Sequence, residues 1–154
     1  MAHLEISCER GRLDRDMIQR FLASSHWAQG LTRTQLDKAI EHSLVFGAYS
    51  GQRQLGFARI VTDYVSFAYL SDVFVLAEAR CLGVGRALME AVLAHPELQQ
   101  LRRFLLVSRD ARPFYRRLGF AELRDGERYM ELRREPATTP ARAWSWFRAN
   151  KNAA

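Results

Sequence analysis

The sequence predicts an α/β layer fold, and three observations carry that prediction. Short β-branched and aromatic runs alternate with stretches whose apolar residues recur at helical spacing. A glycine pair, Gly83 and Gly85, joins one such run, residues 69–75, directly to an amphipathic helix. A second passage from strand to helix follows within residues 104–118. With 154 residues and 48% hydrophobic content, the chain is one domain's worth and long enough to bury a proper core.

The elements follow in order. Residues 4–8 read as a first strand, and residues 14–24 as a helix with Met17, Ile18, Phe21 and Leu22 on one side. Residues 34–42 form a second helix with Leu36 and Ile40 inward. Between the helices lies a loop that carries His26 and Trp27. Residues 44–49 and 54–62 make a hairpin around Ser50-Gly51, and residues 65–75 continue the meander. From Val84, the residues Ala87, Leu88, Ala91 and Val92 keep one stripe of a helix buried. Residues 104–107 are continuously apolar, the pattern of a strand buried on both faces.

The helix that follows spans residues 111–118. Asp110 is its expected N-cap, Pro113 fits its first turn and Gly119 suits the C′ position. A last hairpin is expected after Gly119, with Asp125-Gly126 at its turn and residues 129–132 returning. Beyond it the composition changes to a linker with Pro136 and Pro140, then Trp144, Trp146 and Phe147 among basic residues. The expected organisation is a domain over residues 1–134 and an extension over residues 135–154. Three large aromatics so close together call for cover. Docking on the same domain is the preferred reading; reaching a second subunit of a homodimer and covering an acceptor site are the alternatives.

Arg80-Cys81-Leu82-Gly83-Val84-Gly85 has the makings of an anion cradle. Glycines let the backbone approach a ligand closely, and the first N–H groups of a helix have no partners within it. A diphosphate satisfies them, helped by the helix dipole. The third glycine of a dinucleotide fingerprint is missing, and so is the Gly-Lys-Ser/Thr of a nucleoside-triphosphate loop. A glycine pair before a helix also marks a plain tight turn. Tyr115, similarly, has a structural reading as a tyrosine packed on the sheet.

Taken together, Arg80-x-x-Gly83-x-Gly85 and Ala111-x-x-x-Tyr115-x-x-x-Gly119-Phe120, each after a strand, resemble the GNAT superfamily of N-acetyltransferases. The resemblance covers most of the chain, from about residue 4 to residue 133. It implies a mixed, mostly antiparallel central sheet of six or seven strands with helices on both faces, and acetyl-CoA as co-substrate. Carried over, the pyrophosphate falls to the backbone of Arg80, Cys81, Leu82, Gly83, Val84, Gly85 and Arg86, and the pantetheine arm to Val73, Phe74 and Val75. Tyr115 matches the tyrosine that protonates the departing thiolate. Ser108 stands where many members carry Asn, so its cofactor contact has a shorter reach. Trp27, in the variable region that walls the acceptor, is the leading substrate contact, alongside Tyr69.

Acetyl transfer to an amine needs the two partners held in line, an oxyanion stabilised and the amine neutral, with no cysteine or serine nucleophile. Candidates for the base are Asp72, Tyr69, Asp63 and His26. In a regular strand Asp72 and Tyr69 lie on opposite faces, so both face the acceptor only if a bulge intervenes.

Composition narrows the partners. The net charge of +6 comes almost wholly from arginines spread along the chain, without a nucleic-acid-binding signature. Arg80, Arg86, Arg109 and Arg112 instead suit the phosphates of CoA. Cys8 and Cys81 are too few and too far apart for a disulfide framework, and with the four histidines they give no metal-ligand spacing. There is neither a membrane-length apolar run nor a signal pattern, which places the protein in the cytoplasm. The expected activity is transfer of acetyl to a primary amine, with a small molecule preferred over a protein N-terminus or lysine. A non-catalytic CoA-binding sensor or interaction module is the rival from another class.

Overall fold

In a computed structural model, residues 3–134 are described. The chain divides into two compact units, Met1–Phe120 and Ala121–Ala154, and the sheet and all four α-helices belong to the first. The extension with Trp144, Trp146 and Phe147 lies outside the described residues.

Five strands form one sheet whose spatial order is their order in the chain: β1 (Leu4–Ser7), β2 (Leu44–Ser50), β3 (Arg53–Thr62), β4 (Phe67–Val75) and β5 (Arg103–Leu106). The first three pairings are antiparallel, and β4 with β5 is parallel. That is a mixed, mostly antiparallel sheet, with five strands rather than the six or seven expected. The difference lies after Gly119. Asp125 takes a left-handed φ of 54°, and Arg128 and Tyr129 donate their amides to the carbonyls of Asp125 and Gly126. Those bonds close a single 3-10 turn, Gly126–Arg128, in place of a hairpin. Residues 121–128 hold only one large apolar side chain, Leu123, and Met130 is almost fully exposed, so no alternating face exists to bury.

The helices lie close to their sequence-derived positions. α1 (Arg15–Ser24) is capped by the Asp14 carboxylate, which accepts from the Met17 amide at 2.9 Å. α2 (Arg33–Glu41) begins with a reciprocal capping box between Thr32 and Gln35. α3 (Val84–Leu93) buries Val84, Leu88, Met89 and Val92, each side chain contributing about 2 kcal/mol by leaving water. α4 (Arg112–Arg117) starts with Pro113 in its first turn.

Two cores result, one on each face of the sheet. Alternation along the strands sends Val45, Phe57 and Phe74 towards α1 and α2, and Phe46, Ala48, Ala58, Ile60, Ala68 and Leu70 towards α3. Arg15 reaching Asp37 and Arg33 reaching Asp16 tie the first two helices together. Strand β5 is half-buried rather than buried on both faces, because it ends the sheet among the described residues.

Candidate active site

The loop between β4 and α3 presents a row of free donors. Cys81 and Gly83 take left-handed φ values of 60° and 80°, which turns the chain sharply before the helix. Among the described residues, no backbone acceptor takes the amides of residues 81–86, and the first bond of the helix is that of Ala87 to the Gly83 carbonyl. Leu82 is 64% exposed, so the row faces solvent and not a protein wall. The two glycines do different work. A Cβ on Gly83 would meet nothing within 4 Å, yet its φ demands glycine. A Cβ on Gly85 would sit 3.5 Å from Val75 Cγ2 and 3.8 Å from Phe114 Cζ, so strand end, loop and α4 converge there. Arg80 bends back and donates from Nε to the Val75 carbonyl at 3.3 Å. Cys81, like Cys8, is a free exposed thiol.

Strand β4 carries a bulge, the condition on which Asp72 and Tyr69 can share a face. Phe57 pairs with Phe74 and Arg59 with Ser71, so β4 has one more residue than β3 between these pairs. Asp72 adopts φ of 51° and absorbs the extra length. Phe74 packs against α1, while Val73 and Val75 pack on the α3 side. The bulge thus brings Asp72 to the face shared by Ser71 and Tyr69, which a regular strand forbids. Pairing with β5 stops at Leu70 and Leu106. Beyond that point the outer edge of residues 71–75 has no neighbouring strand among the described residues.

Asp72 is closely held. One carboxylate oxygen accepts from Arg59 Nε at 2.7 Å, and the other from Trp27 Nε1 at 3.2 Å. The Arg59 guanidinium also donates to the hydroxyls of Ser43 and Ser71, each at 3.1 Å. Both side chains of the ion pair are largely buried, with 17% of Arg59 and 9% of Asp72 exposed. Trp27 is 47% exposed, meets the His26 ring edge-on at 5.0 Å and leans on Phe21 at 6.4 Å. Asp63, by contrast, is spent on its own turn. Its carboxylate accepts from the amides of Val65, Ser66 and Phe67 and from the Ser66 hydroxyl, which holds its pKa well below the usual carboxylate range.

Tyr115 is fixed by the end of its own helix. The amides of Gly119 and Phe120 donate to the carbonyls of Arg116 and Tyr115, a Schellman motif that needs the left-handed Gly119. It also sets the Phe120 ring edge-on to Tyr115 at 5.8 Å. Burial of the ring pushes the phenol above its ordinary value near 10. The hydroxyl has no hydrogen-bond partner among the described residues, and it is not among their sealed unpaired polar atoms. Ser108 serves the turn before α4, where its Oγ accepts from the Ala111 amide at 3.0 Å. The expected Asp110 cap is not formed: Ala111 is the N-cap, no side chain caps the helix, and the Asp110 carboxylate pairs with Arg109 at 3.2 Å.

Sequence reasoning missed Arg59. A lone arginine in the middle of an otherwise apolar run was the available signal, because such a cation is buried only with a partner.

The sequence profile described as "Acetyltransferase (GNAT) domain" matches residues 41–122. A crystal structure of a candidate GNAT-family acetyltransferase from Xanthomonas campestris pv. campestris is 44% identical, covers 87% of this chain and 95% of its own, and superposes with a TM-score of 0.84. A candidate acetyltransferase of Gibberella zeae is 29% identical over 78% of this chain and 80% of its own. At 18% identity, a Mycobacterium tuberculosis protein solved in complex with CoA shares the fold, covering 78% of this chain and 73% of its own with a TM-score of 0.63.

Fold and site thus define an acyltransferase. The chain belongs to the GNAT family of acetyltransferases, whose acetyl donor is acetyl-CoA. Among the described residues no helix is long and apolar enough to cross a membrane, and no group of His, Cys, Asp or Glu is placed to hold a metal.

Proposed function

We propose that this enzyme transfers the acetyl group of acetyl-CoA to the primary amine of a small molecule by direct attack. The observation that carries this reading is the run of unpaired amides over residues 81–86, placed where an unpartnered strand edge ends. In this reading the backbone from Arg80 through Cys81, Leu82, Gly83, Val84 and Gly85 to Arg86 grips the pyrophosphate, aided by the positive end of the α3 dipole. The pantetheine arm lies along Val73, Phe74 and Val75, and a β4 amide near the bulge faces the thioester oxygen. The Ser108 hydroxyl, whose oxygen accepts from Ala111, keeps its own proton to donate to the carrier.

Tyr115 supplies a proton to the leaving thiolate. Its raised pKa keeps that proton in place at neutral pH. The amine enters over Trp27 and Tyr69 and loses its proton towards Asp72 through water. Its bonds to Arg59 and Trp27 hold the Asp72 carboxylate in place to receive that proton.

A small acceptor with few positive charges fits the charge arrangement. Asp16 and Asp37 on the covering helices are paired with arginines, and Asp63 is occupied by its own turn, so these carboxylates are spent before a polycation arrives. The reading includes cytoplasmic action, which the two free thiols support. Nucleic acid is not a proposed partner, since nine arginines already face acidic side chains.

The test is a thiol-release assay with acetyl-CoA against phenethylamine, amino acids, spermidine, an aminoglycoside and a lysine peptide. Turnover with a compact monoamine is the expected result. Binding of acetyl-CoA without turnover on any amine would favour a sensor, and turnover confined to the peptide would favour a protein acetyltransferase.

A further inference from the structure

We propose that Arg59 is a positioning residue for acetyl transfer, because its guanidinium holds the β4 bulge in the shape that opens the strand edge. Arg59 sits on β3 opposite Ser71, with apolar neighbours on either side in sequence. Each nitrogen of its fork is engaged: Nε donates to Asp72 at 2.7 Å, and the two terminal nitrogens donate to Ser43 and Ser71 at 3.1 Å each. One planar group therefore joins the start of β2 to two consecutive residues of the bulge. Lysine, with a point charge and a flexible stem, cannot reproduce that fork.

The bulge needs such a clamp. Asp72 has a φ of 51°, a left-handed conformation that Asp enters more readily than most L residues but that lies outside the extended range of a strand, so the surrounding contacts must hold it there. Released, the strand would regain regular alternation. A one-residue change of phase sends each following side chain to the opposite face. Val73 and Val75 would then leave the α3 side, and the amides of residues 73–75 would turn with them. The last pairing with β5, Leu70 to Leu106, lies immediately before the clamped residues, so the clamp stands where the strands part.

The same clamp reaches the acceptor side. Asp72 offers its second oxygen to Trp27, which ties the loop between α1 and α2 to the bulge. Arg59 touches no reacting atom in this arrangement. It sets the donor edge and the acceptor wall through Asp72, and the inference rests on the reading that the carrier's arm lies on residues 73–75.

The experiment follows backbone amide resonances of the full chain during titration with acetyl-CoA, and with the 3′-phosphorylated ADP half of CoA, which lacks the arm. In the wild-type protein acetyl-CoA should shift both the cradle amides, residues 82–86, and the edge amides, residues 73–75. The ADP half should shift the cradle amides only. In Arg59→Met the edge shifts with acetyl-CoA should disappear while the cradle shifts remain, and acetyl-CoA should bind about tenfold more weakly with the ADP half unchanged. Arg59→Lys should lose part of the edge shifts and serves as the test variant should Arg59→Met fail to fold. Edge shifts equal to wild type in the folded variant would overturn the role of Arg59. Absence of shifts at both cradle and edge in the wild-type protein would overturn the cofactor reading itself, which is a different result.

Discussion

The ring of Phe21 in α1 stacks on the ring of Phe74 in β4, with centroids 3.9 Å apart and planes within 9°. Phe74 borders the bulge, and the next aromatic along, Trp27, is bonded to Asp72. This pair therefore transmits the position of the first helix to the strand edge. Phe21→Ala is expected to cost about 2 kcal/mol in urea unfolding, through lost burial and ring contact. It should also raise KM for the amine more than the dissociation constant of acetyl-CoA. An effect on acetyl-CoA alone would contradict the assignment of this side to the acceptor.

Tyr115→Phe keeps the ring and its packing against Phe114 and Phe120 but removes the acid. Acetyl-CoA affinity should hold within about threefold while kcat falls on the order of 10²-fold, at the lower end of what a general acid supplies. Since burial raises the phenol above its ordinary value near 10, the wild-type enzyme should show no loss of turnover from this group between pH 6 and about pH 9. The same shift adds to folding stability below pH 10, and that contribution disappears as the pH rises through the folded-state value. A falling limb below pH 9 that vanishes in Tyr115→Phe would count against this placement.

Gly83 and Gly85 separate conformational need from close packing. Gly83→Ala should lose about 1 kcal/mol, because its φ of 80° strains any side chain, and should weaken acetyl-CoA binding roughly tenfold by tilting the amides. Gly85→Ala makes only ordinary contacts with Val75 and Phe114, so Tm should stay or rise with the better helix former. Equal destabilisation by both would refute the distinction.

Asp63 supplies a pH test of folding. Its pKa is depressed by the Ser66 hydroxyl first, then by the amides of Val65, Ser66 and Phe67. A depressed value means stability that is present above the unfolded-state value of about 3.9 and lost as the pH falls through the folded one. Asp63→Ala should lower Tm at pH 7, and the gap to wild type should narrow below about pH 4. A constant gap across that range would remove the carboxylate's charge as the cause.

The main elements were legible in the sequence because periodicity and caps agree locally. Asp14, Pro113 and Gly119 stand where the structure uses them, and the stripe of α3 is buried. The Gly83 turn could be read because only glycine enters that φ without strain. What escaped is non-local. Nothing in the string Ser71-Asp72-Val73 announces an extra residue, since the bulge is fixed by Arg59 thirteen positions earlier. The hairpin after Gly119 was over-read for the converse reason, as Asp125-Gly126 is strong turn chemistry without apolar flanks to pair. Ser108 shows a third limit, because a hydroxyl with a ligand in prospect is equally suited to its own backbone.

Strand order equal to chain order has a bearing on how the molecule assembles. Strands β2, β3 and β4 meet their neighbours through the short links 51–52 and 63–66, whereas β5 must wait for the crossover of residues 76–102 through α3 to lie parallel to β4. The meander is thus expected to nucleate before the amide row matures, so that gripping the carrier becomes a late event in folding. A carrier that binds only the finished form would draw newly made chains over that final step by mass action. Cells starved of acetyl-CoA would then hold less of the enzyme as well as less of its substrate.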